Sequence, residues 1–160
     1  MKLCRGGGCM SDRTITLHLP DLAATDRFGR QLAEHLPPGS VVALSGTLGT
    51  GKTRLVQAIA AACGVDPADV TSPTFILCRE YHGTRSIYHL DAYRLKDEDE
   101  FLELGPEEMF ASGGLVFIEW AERVASCLPS DCVEISLEVT GVNSRRAIVK
   151  GGEWVTRLVA

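Results

Sequence analysis

Eight consecutive residues, Gly46, Thr47, Leu48, Gly49, Thr50, Gly51, Lys52 and Thr53, restrict what this chain can fold into more than any other stretch. They fit G-x-x-x-x-G-K-[ST], a loop that leaves a buried strand, wraps a phosphate and opens a helix. Gly46, Gly49 and Gly51 let backbone N–H groups curl around an anion with no Cβ in the way. Lys52 brings a point charge for β- and γ-phosphates, and the Thr53 hydroxyl suits Mg²⁺. The flanks agree with that geometry. Val41, Val42, Ala43 and Leu44 read as a buried strand; Leu55, Val56, Ile59 and Cys63 recur at helical spacing, and Gly64 is a natural C-cap. The loop therefore feeds a helix N-terminus, where the dipole favours anions. A glycine-rich turn that binds nothing would share the composition but not the strand-loop-helix setting.

The rest of the chain bounds this reading. With 160 residues, 45% of them hydrophobic and 23% charged, it has enough apolar surface for a core of its own. Residues 11–160 are expected to form a single domain. Residues 1–10 are Gly-rich, lack the apolar run of a signal peptide and read as a disordered extension, with Met10 an alternative start. The net charge of -5 argues against a chain that grips nucleic acid unaided, which would normally be basic. It leaves open entry into a nucleic-acid-processing complex through a partner. The six cysteines form no C-x-x-C pair, so neither a zinc ribbon nor a thioredoxin-type site is indicated. Cys63 and Cys78 lie on apolar segments as small core residues, and a disulfide framework is the weaker reading. No run is long and apolar enough to span a membrane, so the expected location is cytoplasmic.

Residues 15–19 alternate apolar and polar like a strand, and Pro20-Asp21 starts a helix with Leu22, Phe28, Leu32 and Leu36 on one side. Residues 75–81 and 86–90 read as strands around a His82-Gly83-Thr84 turn, and residues 97–104 as an acidic helix. Leu115, Val116, Phe117 and Ile118 form a second short buried strand. Residues 132–139 and 145–150 pair around Gly141-Val142-Asn143, and residues 154–159 suggest a last strand. The predicted fold is α/β: a P-loop domain with a mixed central sheet flanked by helices and C-terminal antiparallel hairpin strands.

Chemistry needs a carboxylate near the metal and a group that positions the nucleophile. Glu119 and Asp91 each end an apolar strand, and ligands collect at the carboxyl ends of strands in open α/β sheets. The plainer readings are a solvent-facing strand end for Glu119 and a turn or helix cap for Asp91. Trp120 is either a packing residue or an aromatic wall near the nucleotide. His89 reads as a satisfied core histidine, Arg94 as a surface group, and Asp97, Glu98, Asp99 and Glu100 as a solvated helix start.

Taken together, the loop at residues 46–53, Thr71-Ser72-Pro73-Thr74-Phe75, His89-Leu90-Asp91-Ala92-Tyr93-Arg94-Leu95, Leu102-Glu103-Leu104-Gly105 and Ile118-Glu119-Trp120 resemble one family. It is TsaE, a small bacterial P-loop ATPase required for threonylcarbamoyladenosine synthesis in tRNA. The loop alone is generic; the three segments with Ser-Pro-Thr, His-x-Asp-x-Tyr-Arg and Glu-Trp are specific. The resemblance implies binding of ATP and Mg²⁺, slow hydrolysis by the lone chain, and action with TsaD and TsaB, which carry out the transfer to an adenosine beside the anticodon. Contact with tRNA is then indirect. It also implies Mg²⁺ at Thr53 and Glu119, catalytic roles for Asp91 and Glu119, and nucleotide contacts from Gly46, Gly49, Thr50, Gly51, Lys52, Thr53 and Trp120, to which the position of Arg54 directly after the loop adds that residue. Residues 72–75 match the family's nucleotide-sensitive loop. Two positions depart from the pattern: Thr47 stands where the family usually has an acid, and Arg54 where it often has Thr. Arg54 is expected to add positive charge close to the phosphates.

Two rivals remain on sequence alone. A small-molecule phosphotransferase needs an acceptor pocket and usually a mobile Arg-rich lid, and no Arg-rich segment follows the loop. A nucleotide-dependent binding module whose hydrolysis is incidental differs from a slow regulatory ATPase only in its turnover with partners.

Overall fold

The computed structural model describes residues 12–73 and 76–159. Seven strands, β1 (Arg13–Leu19), β2 (Val41–Ser45), β3 (Cys78–His82), β4 (Ser86–Asp91), β5 (Leu115–Glu119), β6 (Val133–Val139) and β7 (Arg145–Gly151), share one sheet. Their order is β1-β7-β6-β2-β5-β4-β3. The inner four, β6, β2, β5 and β4, run parallel; β3, β7 and β1 are added antiparallel. The expected mixed sheet is thus present, with the loop-bearing strand β2 between two parallel neighbours. Among the described residues four α-helices accompany it: α1 (Leu22–His35), α2 (Lys52–Ala62), α3 (Glu98–Glu103) and α4 (Pro106–Ala111).

The strand patterns explain the layering. β2 and β5 are continuous apolar runs because both of their faces are covered. Val42, Leu44, Leu115 and Phe117 pack with Phe28, Leu32, Leu55 and Ile59 of α1 and α2. Val41, Ala43, Val116 and Ile118 pack on the opposite side with Phe101 of α3 and with Ala121 and Val124 of a 3-10 turn at Ala121–Cys127. Each large side chain buried this way contributes about 1.5–3 kcal/mol. α1 and α2 approach closely at Gly29, where an added Cβ would lie 2.5 Å from Ala58 Cβ. Any side chain there would push on the helix that carries Lys52 and Thr53.

Local signals hold in most places. Asp21 caps α1 by accepting from Ala24 N at 2.7 Å, and Asp97 caps α3 by accepting from Glu100 N at 3.0 Å. The turn after His82 forms, and Thr84 N donates to Cys63 O at the end of α2 (2.7 Å). Cys63 is buried; it and Cys78, Cys127 and Cys132 are free thiols.

Three expectations need correction. The strand placed at residues 75–81 begins only at Cys78. Before it, Ile76 and Leu77 turn back, both amides donating to Pro73 O, and Leu77 has φ 67°. The last strand, placed at residues 154–159, is a 3-10 turn at Glu153–Arg157. Gly151 ends β7, and the turn drops Val155 into the core beside it, which an extended segment would not do. α4 and the turn at Ala121–Cys127 carry no strong sequence signal and were not expected. The extension at residues 1–10 lies outside the described residues. No helix among the described residues is long and apolar enough to cross a membrane.

Candidate functional site

β2 delivers the chain into the glycine loop, and α2 begins at Lys52. Gly51 caps the helix in the left-handed region at φ 97°, a conformation that costs a side-chain-bearing residue roughly 1–2 kcal/mol. Lys52 turns inward. Its Nζ donates to Gly46 O at 2.7 Å and Thr47 O at 3.1 Å, and lies 4.2 Å from the centre of the Trp120 ring. Burial lowers the pKa of this ammonium from its ordinary value, while the carboxylates of Glu119, Glu122 and Asp91 act in the opposite direction. Thr50 is buried and donates to Thr47 O at 3.0 Å, which tightens the loop.

The parallel pairing of β2, β5 and β4 brings the acids to the same edge. Glu119 is in register with both Leu44 and Asp91. It does not face solvent: it is 3% exposed, and its Oε1 accepts from Thr53 Oγ1 at 2.7 Å. The same oxygen is 2.7 Å from Nε2 of His89, which is fully buried. A carboxylate only accepts, so Nε2 is the protonated ring nitrogen. His89 is therefore buried as expected from its strand position but only half satisfied: Nε2 fixes the carboxylate that meets Thr53, while Nδ1 is buried with no partner among the described residues. Asp91 is 2% exposed; Oδ1 accepts from Tyr93 N at 2.8 Å and Oδ2 from Ser72 Oγ at 3.4 Å. The turn-cap reading of Asp91 is thus correct as geometry, and the residue also faces the glycine loop across a shared cleft.

That cleft has a volume of about 350 Å³ and is lined by Gly49, Gly51, Lys52, Thr53, Ser72, Asp91, Tyr93, Glu119 and Trp120 among others. Trp120 is both wall and packing residue: it is half-buried, has φ 56°, and its ring centre lies 4.9 Å from that of Tyr93. A larger cavity of about 430 Å³ opens beside Ala43, Ala125, Leu128 and Cys132, but Glu122 and Glu134 flank it and would repel a phosphate. The cleft at the loop also carries two acids, Asp91 and Glu119, but it alone of the two has Lys52 and the glycine-loop backbone to meet a phosphate.

Arg54 also lines this cleft, yet its charge is already engaged. Its Nη2 donates to Asp26 Oδ1 of α1 at 2.6 Å, so the expected gain in positive potential at the phosphates is offset by a carboxylate. Arg94 is exposed and does not line the cleft. Two contributors were not anticipated. Tyr93 packs against Trp120 with the ring planes tilted by 44°, and Arg145, from the far end of the chain, donates to Thr50 O at 3.2 Å and Gly49 O at 3.4 Å. The only sequence signal for Tyr93 was its place in the His-x-Asp-x-Tyr-Arg segment; for Arg145 there was none.

Among the described residues no three His, Cys, Asp or Glu side chains converge as a metal cage. Mg²⁺ does not require one, since it is commonly held by one or two protein oxygens together with substrate phosphates. The adjacent hydroxyl of Thr53 and carboxylate of Glu119 are hard oxygen donors of that kind, so the residues present fit the ion.

Comparisons with known proteins bear on the family and the fold. The profile of the family described as "Threonylcarbamoyl adenosine biosynthesis protein TsaE" matches residues 19–148. The tRNA threonylcarbamoyladenosine biosynthesis protein TsaE of Treponema pallidum is 42% identical over 125 residues, 78% of this chain and 92% of that protein. The protein of the same name from Bacillus subtilis is 35% identical over 122 residues, 76% of this chain and 75% of the relative. The crystal structure of YdiB from Bacillus subtilis superposes with a TM-score of 0.73 at 26% identity, covering 88% of this chain and 87% of YdiB. With a profile match over most of its length and relatives this similar, the chain belongs to the TsaE family.

Proposed function

We propose that this chain binds ATP with Mg²⁺, hydrolyses it slowly on its own, and supports TsaD and TsaB as they form threonylcarbamoyladenosine next to the tRNA anticodon. The supporting observation is the meeting of Lys52, Thr53, Asp91 and Glu119 at one cleft, with Thr53 and Glu119 already in contact. The tRNA-modification role follows from family membership. The tRNA is reached through the complex, since a lone chain with net charge -5 lacks the basic surface that phosphate contacts need.

Each residue has a task in this reading. Lys52 exchanges the carbonyls of Gly46 and Thr47 for phosphate oxygens, an exchange favoured by the stronger charge-assisted bonds. Thr53 and Glu119 would hold Mg²⁺, which when bound draws charge from the β- and γ-oxygens. His89 keeps the Glu119 carboxylate aimed at Thr53. Asp91 orients the attacking water and accepts its proton, a contribution typically worth 10²–10⁴-fold in rate. Trp120 and Tyr93 cover one side of the cleft and limit water there.

The Asp91 assignment makes a specific expectation. Asp91→Asn keeps an oxygen that can accept from Tyr93 N but lacks the negative charge. Hydrolysis should drop about a hundredfold while ATP affinity stays within a few-fold. A variant that unfolds, or that hydrolyses at the native rate, removes Asp91 from catalysis.

Steady-state ATP turnover with and without purified TsaD and TsaB tests the function as a whole. Turnover should rise several-fold when both are present. An unchanged rate would leave an ATPase without this partnership, and absence of ATP binding would remove the proposal altogether.

A further inference from the structure

Arg54 stands where two hollows meet. It lines the cleft at the glycine loop together with Gly51 and Thr53. It also lines a cavity of about 250 Å³ between α1 and α2, beside Asp26, Arg30 and Gln57. In the structure its guanidinium is held on the second side, where Nη2 donates to Asp26 Oδ1 at 2.6 Å.

That contact satisfies the arginine poorly. It joins one nitrogen to one oxygen and lacks the two parallel bonds of a guanidinium fork. Nε is buried and has no partner among the described residues. A buried donor without an acceptor is unfavourable, so the group gains from a ligand with oxygens to spare. A phosphate has them, and the planar fork of an arginine matches phosphate geometry. The cleft that Arg54 borders is the one built around the glycine loop.

Releasing Asp26 is easy. The Arg54 and Asp26 side chains are 37% and 39% exposed, and ion pairs so open to water contribute little. Asp26 also has a second guanidinium at hand. Arg30 lies four residues further along α1, the spacing of a favourable opposite-charge pair, and lines the same cavity. The carboxylate is therefore not stranded when Arg54 leaves. The helices need not move either. Gly29 lets α1 and α2 pack closely against Ala58, so the backbones stay in place and the exchange is the rotation of one long side chain.

We infer that Arg54 is a two-position phosphate ligand and that Asp26 is its built-in competitor: Asp26 holds the guanidinium until a phosphate takes it, and so sets how tightly the cleft binds its nucleotide. The inference rests on the nucleotide-binding reading above and adds a residue that lines no part of the cleft yet governs it.

Calorimetric titration of ATP in Mg²⁺ tests it on the native chain, Asp26→Asn, Arg54→Gln and the double variant, each checked by a thermal melt. Asp26→Asn should tighten ATP binding about tenfold, because the guanidinium no longer has to be taken from a carboxylate. Arg54→Gln should weaken it about threefold, and the double variant should match Arg54→Gln within about twofold, since the two changes act through one contact. No gain in Asp26→Asn, or a loss, overturns the inference. So does a gain that persists in the double variant, which would mean that the carboxylate acts on the phosphates by its charge alone. Asp26→Ser provides the same comparison if the Asn variant melts early. A native chain that binds no ATP rejects the nucleotide reading itself, and the competition with it, and is distinguishable because no variant is needed to see it.

Discussion

Lys52→Ala should lower ATP affinity about a hundredfold, equivalent to ~2.7 kcal/mol, and leave the fold intact. The size follows from losing charge-assisted bonds to two phosphate groups, each worth about 1.5–3 kcal/mol. The fold should survive because Lys52 is not among the apolar side chains that form the two core clusters. In the free protein it contacts loop carbonyls and the Trp120 ring, and its burial disfavours the ammonium that alanine removes. Calorimetry reads the affinity and circular dichroism the fold. A near-native dissociation constant in the variant would show that the loop holds no phosphate.

Glu119→Gln separates binding from chemistry. The amide oxygen can still accept from Thr53, so the cleft keeps its shape, but the negative charge that would balance Mg²⁺ is gone. Hydrolysis should decrease at least a hundredfold, about 2.7 kcal/mol of transition-state stabilisation, with ATP affinity changed less than tenfold. Single-turnover kinetics at saturating ATP measure the first and titration the second. Native turnover in the variant would take Glu119 out of the metal site. A large loss of affinity with unchanged saturated turnover would instead make it a binding group.

Much of this architecture was legible where local chemistry and tertiary structure agree. Val41 to Leu44 are apolar without interruption because both faces of β2 are covered, and the glycine loop must follow such a strand. Asp97 and the acids behind it mark a helix start that the structure reproduces. The end of the chain was misread for a physical reason: Trp154, Val155, Leu158 and Val159 have strand-like composition, but their backbone is bent so that Val155 reaches the core next to Gly151. In the site, Glu119 and Asp91 could be placed from their positions at strand ends. The bond from His89 to Glu119 could not, because it depends on β4 lying beside β5 in parallel, which no local spacing encodes. The Arg54–Asp26 pair was invisible in the same way, since it joins two helices whose packing no local spacing encodes.

The bond from Arg145 to the glycine loop spans 95 residues of chain. During synthesis at about 5–20 residues per second, Thr50 is therefore made some ~5–19 s before the arginine that steadies it. β6, whose Ile135 pairs with Leu44, arrives in the same late interval. For those seconds the ribosome displays a complete phosphate-binding motif with one flank of its supporting sheet missing. The candidate cleft is consequently among the last parts of the molecule to mature, although its sequence signature is among the first to be translated.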